Sequence, residues 1–144
     1  MYQKIMVPVD ESHASMRALR EACQLASSTQ AAVCAIHILD YAQFVWGKDG
    51  LQGENGKDTP QDAVLVQAQQ IMQQHGIQGE TAFLNNTGEK IAHIIVREAA
   101  KRGCDLIIMG THGLTGLMHL LMGSVAEGVL RESKIPVMLI RHAD

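Results

Sequence analysis

The sequence predicts an α/β fold: an open, doubly wound parallel sheet of five strands with helices on both faces. Short apolar runs alternate with longer segments of helical periodicity along all 144 residues, and this alternation is typical of parallel strands joined by right-handed helical crossovers. The runs 4–9 and 104–110 are the most continuously apolar, as central strands buried on both faces are. No repeat or linker is present, so we expect one domain over residues 1–144.

The first half of the chain predicts two strands, two helices and a loop. At helical spacing, Met16, Leu19 and Cys23 indicate an amphipathic helix. Pro60 suits the first position of the second helix, with Thr59 as its cap. In chain order the predicted elements are strand 4–9, helix 12–28, strand 31–39, surface loop 40–58 and helix 59–76.

The second half predicts the remaining three strands and two helices. Thr87 is a candidate cap for the third helix, and Gly103 is its expected stop. Ser124 and Glu127 have the spacing of a capping box at the start of the fourth helix. In chain order the elements are strand 79–85, helix 87–103, strand 104–110, helix 124–133 and strand 135–141.

Composition excludes several function classes. The formal net charge is −3 and aromatic residues make up only 3%, which argues against a nucleic-acid or anionic-membrane partner. The three cysteines have no CxxC spacing and are expected to be reduced core residues. No signal-peptide pattern or membrane-length apolar run is present, so we expect a cytoplasmic protein.

The segment 110–124 is the candidate functional site. In a doubly wound sheet, ligands bind beyond the carboxyl ends of the strands where the winding reverses. If the first and fourth strands are neighbours there, Asp10 and Gly110 face one crevice. Gly113 and the Gly123–Ser124 helix start then offer main-chain amides to a phosphate. An ordinary turn followed by a capped helix explains the same residues, and both interpretations stay open.

Other motifs limit the chemistry. The sequence contains neither GxxxxGK[ST] nor GxGxxG, and no Lys or Arg lies between Gly103 and Arg131. A polyphosphate would therefore depend on main-chain amides, the helix dipole and a divalent cation, Mg²⁺ or Mn²⁺. The seven histidines lack zinc-site spacing, so no metal site made of protein ligands is expected. No catalytic residue is assigned, since a capping role competes with a general-base role for Glu127.

The combined motifs resemble the ATP-binding branch of the universal stress protein family. They are Gly110-x2-Gly113-x9-Gly123-Ser124 together with KIMVPVDES, AIHILD, DLIIMGTHG and IPVMLIR. The resemblance implies a Rossmann-like sheet in the order 3-2-1-4-5. It also implies homodimers formed through the last strand, 135–141, and a small ATP-binding protein with a stress-response or signalling role. Since the sequence offers no arginine finger and no obvious water-positioning residue, at most slow ATP hydrolysis is expected. The protein partner is unknown.

The resemblance also implies a set of binding residues. Four of them lie near adenine and ribose in the family: Pro8, Val9, Asp10 and Ile38. The other seven lie near ribose and phosphates: Met109, Gly110, His112, Gly113, Gly123, Ser124 and Val125. The chain departs from the family pattern in two places. Ala126 replaces a residue that often carries a hydroxyl, and Met118-His119 replaces a basic pair, which is expected to weaken ATP binding or to increase its dependence on metal.

Two other functions remain possible from the residues. One is a nucleotide hydrolase or transferase of the same fold that uses Asp10 or Glu127 with a metal. The other is a scaffold that has lost its nucleotide, which the departures at Ala126 and Met118-His119 would allow.

Overall fold

A five-stranded, all-parallel sheet lies between two pairs of helices, which confirms the predicted fold class. The computed structural model describes residues 1–40, 60–86, 88–113 and 121–141, so the predicted loop 40–58 lies almost entirely outside the described residues. The strands are β1 (Lys4–Pro8), β2 (Ala32–Asp40), β3 (Gly79–Asn86), β4 (Leu106–Gly110) and β5 (Val137–Ile140). The helices are α1 (His13–Thr29), α2 (Pro60–Gln74), α3 (Ile91–Lys101) and α4 (Ser124–Glu132). The sheet order is β3-β2-β1-β4-β5.

Two apolar cores, one on each face of the sheet, hold the helices in place. Ile5 and Val7 of β1 pack with α1 and α2 on one face, and Met6 packs with α3 and α4 on the other. These three side chains are fully buried. Successive side chains of a strand point to opposite faces, so a strand covered on both faces must be apolar at successive positions, as β1 is from Ile5 to Val7 and β4 is from Leu106 to Met109.

The winding of the sheet reverses between β1 and β4. β1 pairs with β2 from Lys4↔Ala32 to Pro8↔Ile36 and pairs on its other side with β4. The predicted adjacency of the first and fourth strands is therefore confirmed. Since β1 has five residues and β2 has nine, β2 continues past the end of β1 and leaves a gap beside β1 at the carboxyl edge.

The observed ends of α1 and α3 test the helix caps and the helix stop that the sequence predicts. Ser12 caps α1, because its Oγ accepts a hydrogen bond from the Ser15 N–H at 3.2 Å. Gly103 follows the end of α3 with a φ of +72°, as predicted for a residue that stops a helix. The predicted cap at Thr87 is wrong, since the N-cap of α3 is Lys90 and it makes no side-chain cap bond. Thr87 itself lies outside the described residues.

No helix in the described ranges is long and apolar enough to cross a bilayer.

Candidate functional site

Asp10 is fixed in place directly after β1. Its Oδ1 accepts the Ser12 N–H at 2.8 Å, and its own N–H donates to Ser15 Oγ at 3.0 Å. Ser15 is buried, and its bond to the main chain of Asp10 was not predicted from the sequence. These bonds orient the Asp10 carboxylate without using it as the helix cap, because Ser12 has that role.

The segment that follows β4 lies close to the Asp10 carboxylate. A Cβ built on Gly113 would lie 3.1 Å from Asp10 Oδ2, so any larger residue there would press on the Asp10 carboxylate and shift it from this position. The structure therefore brings together Asp10 and Gly113, which are more than a hundred residues apart in the sequence.

Gly110 has a packing role at the end of β4. A Cβ at this position would lie 3.0 Å from Ala14 Cβ and 3.2 Å from the Ala14 carbonyl carbon. The missing side chain lets the first turn of α1 pack directly on the end of β4. Positive φ values occur, among the described glycines, at Gly76, Gly88 and Gly103; Gly110 and Gly113 are therefore required for space and not for a left-handed backbone.

Gly123 holds together the two ends of the segment that joins β4 to α4. Its N–H donates to the Thr111 carbonyl at 2.6 Å, and it is the N-cap of α4, with a φ of −77° and no side-chain cap bond. The capping box predicted at Ser124 is therefore wrong, since Ser124 is the first residue of the helix and is exposed. Glu127 instead pairs with Arg131 at 2.9 Å.

Three main-chain amides at the start of α4 have no acceptor within the helix. The first bond of the helical ladder runs from the Glu127 N–H to the Gly123 carbonyl at 3.0 Å. Helix geometry then leaves the N–H groups of Ser124, Val125 and Ala126 without a helical partner. The helix dipole adds partial positive charge at this end, so the site can stabilise an anion.

Two buried side chains lie beside this helix start. Thr111 and His112 are 6% and 7% exposed, and Thr111 Oγ1 lies 3.1 Å from His112 Nδ1. Met109 and Val125 both belong to the core between the sheet, α3 and α4. Their side chains are therefore structural, and only their main chains are available for a ligand.

The main-chain groups of Ile38, on β2, face the gap beyond the end of β1. The Val9 N–H donates to the Ile36 carbonyl at 2.8 Å, so the main-chain groups of Ile36 face β1. Two residues further along β2, those of Ile38 face the same way. Since β1 ends at Pro8, no described strand pairs with Ile38 on that side, whereas on its other side Ile38 is paired with Leu84 of β3.

The electrostatics of the site favour a ligand with both hydroxyl and anionic groups. Asp10 can accept hydrogen bonds from hydroxyls, and the α4 amides can donate to an anion. No Lys or Arg lies between Gly103 and Arg131 in the sequence. Within the described ranges, no group of three or more His, Cys, Asp or Glu side chains is arranged to hold a metal ion. Met118 and His119 lie outside the described residues.

Comparisons with known proteins agree with this architecture. A family model described as the universal stress protein family matches residues 1–141. Universal stress protein MJ0531 of Methanocaldococcus jannaschii is 35% identical over 145 residues, which cover 98% of this chain and 83% of that protein.

Solved structures resemble the fold over nearly the whole chain. The structure of hypothetical protein MJ0577 superimposes with a TM-score of 0.82 at 25% identity, covering 100% of this chain and 99% of that one. A universal stress protein from Archaeoglobus fulgidus in complex with dAMP gives a TM-score of 0.70 at 26% identity, with 96% and 98% covered.

Proposed function

This chain belongs to the universal stress protein family, and from that premise we propose that it is a nucleotide-binding protein whose ligand is ATP. The observation that carries the proposal is that Gly113 lies against Asp10 at the reversal of the sheet, while the bond from Gly123 to the Thr111 carbonyl brings the start of α4, with three amides that lack a partner within the helix, to the same segment. The dAMP bound by the relative from A. fulgidus supports an adenine nucleotide as the ligand class. We further propose that residues 1–144 act as one cytoplasmic domain.

The phosphates are proposed to lie against the start of α4. The N–H groups of Ser124 and Val125 provide donors, and His112 and Gly113 lie nearby, at the beginning of the segment that joins β4 to α4. Gly123 contributes through position, because its own N–H is already donated to Thr111. A helix N-terminus binds phosphate through such amides without needing a cationic side chain.

The nucleoside is proposed to lie in the gap beside β1. The Asp10 carboxylate accepts hydrogen bonds from ribose hydroxyls, and the main chain of Ile38 meets the edge of the adenine. Pro8 and Val9 form the floor of the gap at the end of β1, and Met109 and Gly110 form its wall at the end of β4. These residues complete the proposed contact set.

A divalent cation is part of the proposal. ATP carries three to four negative charges, and the described site contains a carboxylate and no cationic side chain of its own in the 104–130 segment. We propose that Mg²⁺ or Mn²⁺ binds together with ATP, with phosphate and water oxygens as its ligands.

Substitution of Gly113 tests the site. In Gly113→Val the side chain collides with Asp10 Oδ2, 3.1 Å from the Cβ position, so we expect ATP affinity measured by calorimetry with Mg²⁺ to fall at least tenfold. Ala100→Val adds two methyl groups at an exposed site on α3 and should leave the affinity unchanged. Equal affinity in wild type and Gly113→Val, with both proteins folded, would contradict the assignment.

The fate of bound ATP separates the alternative functions. Incubation with ATP and Mg²⁺, followed by denaturation and chromatography, should recover intact ATP from the binding protein proposed. Rapid formation of ADP would support a hydrolase, and no retained nucleotide would support a scaffold. The ion pair of Glu127 with Arg131 gives no support to Glu127 as a general base.

We also propose a homodimer formed through β5, acting as a nucleotide-dependent signalling module. β5 is an edge strand, and Met138 on it is 40% exposed; exposed apolar edges favour pairing with another strand. Met138→Lys should shift the protein to monomers in sedimentation velocity, whereas Val66→Lys, at an exposed apolar position of α2, should not. A Met138→Lys protein that stays dimeric would refute the β5 interface.

A further inference from the structure

A short chain of main-chain hydrogen bonds connects the start of α4 with the outer strand β5. The Gly123 N–H donates to the Thr111 carbonyl at 2.6 Å, and the Thr111 N–H donates to the Ile140 carbonyl at 3.1 Å. A Cβ on Gly123 would lie 3.3 Å from the Thr111 carbonyl oxygen, so the two backbones are in direct contact. Thr111 is 6% exposed, so water has little access to these bonds. Together the two bonds form what we call the Thr111 link.

The carboxyl end of β5 depends on this link because the strand is short and is paired, among the described strands, on one side only. β5 has four residues and lies at the edge of the sheet beside β4. Its register with β4 ends at the pair Gly110↔Ile140, and the N–H that reaches the Ile140 carbonyl belongs to Thr111, one residue beyond β4. At the other end of β5, the Ile107 N–H donates to the Pro136 carbonyl at 3.0 Å. The carboxyl end of β5 is therefore held by a residue that is also bonded to the start of α4.

A ligand that contacts both β4 and α4 favours the arrangement in which the Thr111 link is formed. The proposed nucleotide lies against the end of β4, at Met109 and Gly110, and against the amides of Ser124 and Val125. The link holds these two elements together, so the ligand makes both sets of contacts only while the link is intact. A ligand shifts an equilibrium by its differential affinity for the two forms, and here it favours the linked form.

We propose that the Thr111 link couples the nucleotide site to the β5 interface: a bound nucleotide stabilises the carboxyl end of β5 and thereby favours its pairing with a second copy of the chain. This coupling rests on the proposed function, both for the ligand and for the homodimer. Its physical basis is that a strand end that is already ordered loses less conformational entropy when the strand pairs. Because linkage is reciprocal, dimer formation strengthens nucleotide binding by the same factor.

Amide hydrogen exchange on the ligand-free protein, followed by NMR, tests the link itself. Proline at position 123 removes the N–H donor and suits the φ of −77° that Gly123 has. Gly123→Pro should therefore speed exchange of the Thr111 amide roughly three- to tenfold, while the Ile107 amide, at the other end of β5, stays unchanged. Gly123→Ala, the matched control, adds a Cβ but keeps the N–H, and should leave both amides at wild-type rates. Equal exchange of the Thr111 amide in the proline and alanine variants would overturn the proposal.

Sedimentation equilibrium of the wild type with and without ATP and Mg²⁺ tests the coupling. We expect saturating ATP to lower the dimer dissociation constant about fivefold or more. Met138→Lys should weaken ATP binding in calorimetry by the same factor, whereas Val66→Lys should bind as the wild type does. Saturating ATP that leaves the dimer dissociation constant unchanged, or a wild type that is monomeric in both conditions, would refute the coupling. A wild type that binds no ATP would refute the proposed function, whereas the exchange rates, measured without ligand, still decide whether the link exists.

Discussion

The contact between α3 and α4 provides a stability prediction: Gly128→Ala should destabilise the wild type but stabilise a variant that lacks the Ala92 methyl group. A Cβ on Gly128 of α4 would lie 2.6 Å from Ala92 Cβ of α3, whereas carbon atoms in contact are separated by roughly 3.5–4.0 Å. In Gly128→Ala the two helices must therefore move apart by about 1 Å. The cost comes from a buried contact, since Ala92 is 7% exposed.

Two opposing terms set the size of the effect. Overpacking of this kind costs about 1–3 kcal/mol, and replacing a helical glycine by alanine gains about 0.5–1 kcal/mol. We therefore expect Gly128→Ala to lower the free energy of unfolding by about 0.5–2 kcal/mol. In an Ala92→Gly background the opposing methyl is absent, and the same substitution should stabilise the protein by about 0.5–1 kcal/mol.

A double-mutant cycle measures both values. Urea unfolding of the wild type, both single variants and the double variant should give a coupling energy of about 1–3 kcal/mol. Because α4 carries the proposed phosphate amides, ATP affinity should fall in Gly128→Ala and recover in the double variant. Additive effects, or a stabilising Gly128→Ala in the wild-type background, would refute the close packing of α3 on α4.

Two further predictions concern the opposite edge of the sheet and the core. Burial raises the pKa of Asp105, but hydrogen bonds from the Lys4 and Gln3 N–H groups outweigh it and leave the pKa lowered. The stabilisation is therefore present above the pKa of the unfolded state and is lost as the pH falls through the lowered value. Asp105→Ala should cost about 1–2 kcal/mol at pH 7, and the difference from wild type in urea unfolding should shrink in acid; a constant difference down to pH 2 would contradict this. Burial raises the pKa of both Cys23 and Cys34 to about 11, so iodoacetamide at pH 8 should label these thiols only in urea, and rapid labelling of the native protein would be the contrary result.

The fold was predictable because its signals are local. β1, β2, β4 and β5 are mainly apolar runs, whereas β3 has several polar residues and is the weaker signal. Gly103 ends α3 as a left-handed residue, as the sequence predicts. The adjacency of β1 and β4 followed from the resemblance, whereas their apolar character predicted only that both are central strands. The sequence also placed Asp10 and Gly110 at one edge of the sheet, where the structure has them.

The errors have tertiary causes. Ser124 is suited to both the N-cap and the first helical position, and the bond from Gly123 to the Thr111 carbonyl decides between them. The main-chain bonds of Thr111 to Ile140 of β5 and to Gly123 at the start of α4 leave no pattern in the sequence around Thr111. At Gly110 and Gly113 the close approach of Ala14 and of Asp10 depends on the tertiary structure, and neither glycine has a positive φ.

Titration of ¹⁵N-labelled protein with ATP and Mg²⁺ tests most directly whether main-chain amides bind the phosphates. The account predicts saturable downfield shifts of the Ser124, Val125 and Ala126 amide protons, since each gains an acceptor, while the amide of Gly76, at the opposite edge of the sheet, stays unchanged. Saturable binding that shifts other residues and leaves these three amides unmoved would contradict it.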